Sequence, residues 1–370
     1  MKAPSPYATK SRPTLEPARL YFKHTRARYA LAIALTVLYL LWHISGLGRT
    51  STSHILPTFN QSTPPLPCRN LPGVNETLVV IRTGSTELVN RLTSHLSTTI
   101  RCFPNYLVFS DIEETYHGEH VFDALEDVSS NILENNPDFE LHRRLRTGGR
   151  AALNSTELAG SPDKYASKTG KTENPGWKLD KWKFLPMINK TLNERPDMKW
   201  YVFTEADGFI LGSMLQQYLA TLDSTKPIYA GRPVQIGEDV FAHGGSGFVV
   251  SQPALQMAVK YYTAHKAEIE EFTDHHWAGD CVLGKTLADS GVPLTHAWPA
   301  FQSDYPGLVE YSQVDSRPQG DRLRVWCTTP VSYHHMSAAQ VEEMWNYEQD
   351  WIARHNPVII ENLLLRSECS

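Results

Sequence analysis

The sequence predicts an α/β fold built on a largely parallel sheet, and three observations lead there. Short apolar, β-branched runs alternate with longer amphipathic stretches. The first two such runs are separated by a helix-length segment, the spacing of a βαβ unit. With 41% hydrophobic residues over 370 positions, the chain can furnish a real core in one large domain or two ordinary ones.

The elements follow in order. "TLVVIRTG", residues 77–84, is an apolar strand ending in a glycine turn. "ELVNRLTSHLSTTI" has the spacing of an amphipathic helix, and "NYLVFSD", residues 105–111, is the next strand. Ligands of such sheets gather at the carboxyl ends of the strands, which sets Thr83, Gly84 and Asp111 on one edge. The polar stretch from Arg143 to Gly176 reads as a mobile or inserted loop. "WKLDKWKFLPMINKTL", residues 177–192, reads as a helix with aromatic and apolar residues on one face and lysines on the other. "KWYVFT" is too short and apolar for a helix and reads as a buried strand delivering Glu205 and Asp207 into a turn at Gly208. "PIYAGRP" is another strand, and "HGGSGFVVS", residues 243–251, carries three glycines that allow backbone to approach a ligand. Ser251 and Pro253 suit the start of a helix through "ALQMAVKYYTAH". "WAGDCVLGKTLADSG" gives another helix ending near Gly291, and "SAAQVEEMWNYEQDWI" opens with a capping box of Ser337 and Gln340. There is no internal repeat.

The N-terminus differs from the rest. Seven basic residues in positions 1–28 precede "YALAIALTVLYLLWHISGL", residues 29–47, which carries no Asp, Glu, Lys or Arg. Its helix would rise about 28 Å, close to the ~30 Å hydrocarbon core of a bilayer. A cleaved signal peptide normally has a shorter apolar region, so the segment reads as a single-span signal anchor. The basic flank sets a type II topology: residues 1–28 cytosolic, residues 48–74, rich in Ser, Thr and Pro, a luminal stem, and residues 75–370 the luminal domain. Sequons at Asn60, Asn75, Asn154 and Asn189 all fall on the luminal side. The five cysteines show no CxxC spacing, which disfavours zinc and suits disulfides, with Cys68–Cys102 and Cys281–Cys327 as the expected pairs and Cys369 odd. Beyond residue 28 there remain 28 basic against 39 acidic residues, about −11. So acidic a domain is a poor nucleic-acid binder, and to hold an anionic nucleotide it needs a local device such as a metal ion.

Glu205 and Asp207 are one residue apart, so on a strand their side chains share a face. Carboxylates at a strand end suit hard cations such as manganese or magnesium, although an ExD is also common at solvated strand ends. A carboxylate at Asp280 can act as a general base or simply cap the helix that follows. Gly244 and Gly245 can admit a ligand or make a plain tight turn. Lys181 can meet a diphosphate or sit on a solvated helix face.

In sequence and order, "WYVFTEADGFIL", "PIYAGRP", "HGGSGFVVS", "AGDCVLG" and "PVSYHHMSAAQVEEMW" resemble the blocks of glycosyltransferase family 31, in the Fringe and core 1 β3-galactosyltransferase branch and its fungal relatives. The resemblance spans roughly residues 75–355. It implies a GT-A-type fold, a single Rossmann-like mixed sheet flanked by helices. By position it implies Asp207 as direct metal ligand, Glu205 near the ribose and the metal, His334 as the second protein ligand, and Asp280 as catalytic base. Thr83, Asp111, Lys181, Gly244 and Gly245 then line the donor site. The family usually has DDD where this sequence has Glu205-Ala206-Asp207. If the segment around His334 is extended, His335 points the opposite way and only one of the two faces the site.

The implied activity is metal-dependent, inverting transfer of a hexose or N-acetylhexosamine from a UDP-sugar to a hydroxyl of a glycan or glycoprotein, with a β1,3 bond expected. Mn2+ or another divalent cation is the expected cofactor, and the Golgi or ER membrane the expected location. A homodimer is compatible with the sequence. Two rivals stay open: a catalytically silent GT-A-like partner that binds glycans, and a membrane-tethered hydrolase using Asp207 and Asp280 as an acid and base pair.

Overall fold

The computed structural model describes residues 66–158, 174–314 and 324–355, together with Ala34, Thr36 and Val37. The chain divides into the units Met1–Thr63 and Pro64–Ser370. In the first, the three described residues are helical. The remainder of the expected anchor at 29–47, the basic tail and the stem up to residue 65 lie outside the described residues. Among the described residues no helix is long and apolar enough to cross a membrane.

The second unit is built on a mixed sheet of eight described strands: β1 (Thr77–Arg82), β2 (Tyr106–Ser110), β3 (Glu114–Tyr116), β4 (Glu119–Asp123), β5 (Trp200–Glu205), β7 (Tyr229–Gly231), β10 (Phe248–Ser251) and β11 (Leu294–His296). Two short pairs lie outside it, β6 (Phe209–Ile210) with β12 (Ser332–Tyr333), and the hairpin β8 (Pro233–Ile236) and β9 (Asp239–Ala242). The order across the sheet is β11-β7-β10-β5-β1-β2-β4-β3. β1 lies parallel to β2 and β5, whereas β10 runs antiparallel between β5 and β7. The sheet is therefore mixed, and the arrangement is compatible with a GT-A fold. The chain turns back at the β8–β9 hairpin, where Gly237 has φ 61°, a backbone region open to glycine at little cost, and a glycine turn with Gly247 at φ 75° then leads into β10.

All six residues of β1 are buried, as expected of a central strand covered on both faces. Val79 and Ile81 face a cluster with Leu88 and Leu92 of the helix Leu88–Ser97 and Ile352 of the C-terminal helix Ala338–His355. Leu78 and Val80 face Phe184 and Ile188 of the helix Pro175–Glu194, with Leu255 and Val282 from the helices Gln252–Ala264 and Gly279–Asp289. The capping box forms as expected: the Ser337 amide donates to Gln340 Oε1 at 2.8 Å, and the Gln340 amide to Ser337 Oγ at 3.3 Å. Ser213 ties the C-terminal helix inward through its amide and hydroxyl, both donating to Glu348 Oε1.

Three expectations need correction. Folding begins before residue 75, because Cys68, Leu71 and Val74 are buried in the core. The segment taken for a loop opens within a helix, Glu140–Gly148, whose Leu141 and Leu145, four apart, reach the apolar cluster around Phe139 and Trp182. Its residues 159–173 lie outside the described residues. Cys68–Cys102 is a disulfide, but Cys281 is a free, buried thiol and Cys327 is disulfide-bonded elsewhere. Cys281 faces inward from its helix onto Phe241 and Ala278, a small apolar residue in a packed site.

Cys68–Cys102 closes a sequence separation of 34 residues. Replacing both by Ser should cost about 3–4 kcal/mol through the freed denatured chain. Denaturant titration against the parent chain measures this loss, and an unchanged midpoint would show that the bond contributes nothing.

Candidate active site

The turn after β5 is held from three sides. The Ala206 amide donates to the Arg82 carbonyl at 2.9 Å, and the Met336 amide to the Asp207 carbonyl at 2.8 Å. His95, fully buried, meets the Ala206 carbonyl through Nε2 at 2.9 Å; burial pushes its imidazole down to about 4, so it is neutral and Nε2 carries the proton that this bond needs. The strand alternation sends Ala206 into the apolar cluster and leaves Glu205 and Asp207 on the opposite side. An acid at position 206 would enter that cluster without a partner, which gives a physical reason for the alanine.

Arg82, at the end of β1, is buried and pairs with both Asp180 and Glu205 while its guanidinium lies 4.1 Å from the centre of the Phe184 ring. Burial works against its charge, but the two carboxylates hold it protonated. Glu205 therefore has Oε1 committed to Arg82, with Oε2 3.5 Å from His334 Nε2. His334 Nε2 also lies 3.2 Å from Asp207 Oδ1. Burial alone would lower the His334 imidazole, yet Asp207 and Glu205 outweigh it and raise it to about 10. Burial likewise opposes ionisation of Asp207, and the imidazolium keeps it well below the usual carboxylate range.

The residue after His334 departs from the extended reading. His335 has φ 55°, in the left-handed region, so its ring stacks on that of His334 at 3.9 Å between centroids instead of pointing away. Asp207, His334 and His335 each offer a ligand atom within 4.8 Å of the others. Glu205 stays outside that group, turned toward Arg82.

The glycine turn joins this cluster to Asp280. A Cβ on Gly245 would lie 2.1 Å from His334 Cε1, and one on Gly244 would lie 3.2 Å from Asp280 Cβ. The Gly244 amide donates to Asp280 Oδ2 at 2.8 Å, and the Cys281 amide to Oδ1 at 2.9 Å. Burial pushes the Asp280 carboxyl up to about 6 despite those donors. The glycines thus touch both Asp280 and the metal-type cluster, and the contact at Gly245 leaves no room for a side chain.

The edge formed by Thr83, Gly84 and Asp111 is also assembled. Asp111 is fully buried, accepting from the Ser85 amide at 2.6 Å and pairing with Lys183 at 2.7 Å. Lys183 also donates to the Thr83 carbonyl at 2.9 Å. The hydroxyls of Thr83 and Ser85 are buried without a hydrogen-bond partner, polar groups available to a ligand. Lys181 is turned elsewhere, to Asp138 at 3.0 Å and the Asp274 carbonyl at 2.9 Å. Two positions along a helix are about 200° apart, so the expected lysine and the one at the site face opposite ways. Arg82 and Lys183 are absent from the residues expected at the site, and His335, expected to point away, faces it. A charged residue ending a wholly apolar strand was the one signal that could have found Arg82.

Residues 178–358 match the model of the Fringe-like family. The chain carries a Fringe-like domain, the domain of glycosyltransferase family 31. The Fringe-like match spans β5, the glycine turn, Asp280 and the His334 segment, so it covers the whole cluster except Arg82 and the Thr83 edge. No curated protein matches the chain.

Gly245→Ala should push the His334 ring from its place and lower divalent-metal binding and any sugar-transfer turnover on the order of 100-fold, since displacements of about 1 Å cost that much. Metal titration and circular dichroism of the variant separate this from unfolding; a variant that binds metal like the parent would show that the contact does not set the ring.

Proposed function

We propose that the protein is an inverting, metal-dependent glycosyltransferase that moves a hexose or N-acetylhexosamine from a UDP-sugar to a hydroxyl of a glycan or glycoprotein, forming a β1,3 bond. The observation that carries this reading is the single glycine turn that touches both Asp280 and His334. It sets a carboxylate of base-like character beside a group able to hold a cation, in a domain whose family is one of glycosyltransferases.

Asp207 and His334 would hold the divalent ion, with His334 Nε2 3.2 Å from Asp207 Oδ1 in favour of the fit. The ion's contribution is to neutralise a diphosphate as negative charge develops on the leaving group. Asp280 takes the proton from the acceptor hydroxyl as that oxygen attacks the anomeric carbon from the face opposite the leaving diphosphate. A carboxyl raised to about 6 is ionised at neutral pH yet more basic than an ordinary aspartate, as proton abstraction requires. Gly244 holds the carboxylate through its amide, so the base keeps its orientation. The unpartnered hydroxyls of Thr83 and Ser85, with the Gly84 backbone between them, are placed to meet the nucleotide. The hydrolase reading needs a proton donor, and Asp207, kept ionised by His334, is poorly suited to be one. For location, we propose a type II anchor at 29–47 in the Golgi or ER membrane, supported by its uncharged run and by the exposed Asn75 and Asn154 of two sequons. Asn189 fits that scheme less well, because its amide nitrogen donates to Asp127.

Asp280→Asn tests the reading. Turnover should fall about 10²–10⁴-fold, the usual contribution of a positioned base, while UDP affinity is kept. A silent glycan-binding partner would show no turnover to lose. In the parent, kcat/KM should fall as pH drops through about 6, because Asp280 is protonated and unable to accept a proton below that point. A profile flat from pH 5 to 8 would remove Asp280 from the base role.

A further inference from the structure

We propose that His335 is a third protein ligand of the metal ion, and that this donor set binds a first-row transition ion without any nucleotide. The inference rests on the metal-dependent reading above and sharpens it. Four observations support it.

First, the distances suit a shared ion. Two ligands on one ion with bonds of about 2.1 Å sit about 3–4 Å apart. His334 Nε2 lies 3.2 Å from Asp207 Oδ1, and His335 Nδ1 lies 3.8 Å from Asp207 Oδ2. The second separation is too long for a hydrogen bond, so the ring is aimed at the carboxylate without bonding to it. Second, His335 Nδ1 is buried and lacks a hydrogen-bond partner, a cost that an ion would remove. Third, His335 holds φ 55°, which non-glycine residues rarely adopt. That conformation turns the ring toward Asp207; an extended residue would point it away. Fourth, the surroundings fix the partners. Met336, the next residue, donates its amide to the Asp207 carbonyl at 2.8 Å and accepts from Arg91 at 2.7 Å through its own carbonyl. The segment bearing both histidines is thereby tied to the turn bearing the carboxylate.

The donor set determines the ion. One carboxylate alone holds magnesium weakly and depends on substrate phosphates to complete the site. Two imidazoles and a carboxylate favour manganese, cobalt or zinc over magnesium, because imidazole suits transition ions. With three protein ligands, the ion can be retained before the donor arrives and after the diphosphate leaves.

The test is titration of the full chain with Mn2+, followed by the electron paramagnetic resonance of the free ion, with and without UDP. His335→Asn is the informative variant, since asparagine tolerates left-handed backbone but lacks the ring. His335→Gly is the second, which relieves the backbone strain as well. The parent should take up one Mn2+ per chain in the absence of UDP, and both variants should weaken that uptake by about 10-fold or more. The glycine variant should melt above the metal-free parent while binding metal worse, a split that a purely structural histidine would not produce. If the parent binds Mn2+ only when UDP is present and both variants behave like it, His335 is not a ligand and the transferase reading stands. If the parent takes up no Mn2+ under either condition, the metal-dependent reading itself falls.

Discussion

Arg82 ends the central strand with its guanidinium buried between Asp180 and Glu205 and packed on Phe184. A buried cation is tolerated only when its charge is matched, and removing one partner from such a group is far more costly than the group is stabilising. That requirement fixes Glu205, whose other oxygen then faces His334. The Arg82 carbonyl holds the Ala206 amide, so one residue sets both the backbone and the charge of the turn. The position of Asp207, and with it the cluster shared with the two histidines, follows from that constraint.

A second device offsets the acidity of the domain. The chain beyond residue 28 carries about 11 more acidic than basic residues, yet the site edge holds Arg82 and Lys183, each buried beside a carboxylate. Each cation is already paired with protein, so none is left free to neutralise a nucleotide diphosphate. The remaining positive charge for a diphosphate is best supplied by an ion, and the only described group of three metal-type ligands lies beside Asp280 across the glycine turn.

Much of this was legible in the sequence, for physical reasons. The central strands and flanking helices announce themselves because a doubly covered strand must be apolar throughout and a packed helix must repeat every three to four residues. Glu205, Asp207, Asp280, Gly244 and Gly245 were legible through ordered motifs, and the structure brings them to one place. What escaped was set by three-dimensional detail. The choice between Lys181 and Lys183 depends on which helix face meets the sheet. The direction of His335 depends on one backbone angle, which an extended strand pattern does not encode. The free state of Cys281 depends on the packing of its helix against β9. The short pairs β6–β12 and β8–β9 have too few residues to show a period.

The most direct test of the account is a UDP-release assay of the full chain over a panel of UDP-sugars with a glycan acceptor, run with a chelator and again after adding Mn2+. The account predicts release with at least one donor, abolished by the chelator and restored by the ion. Absence of release with every donor, or release untouched by the chelator, would contradict it.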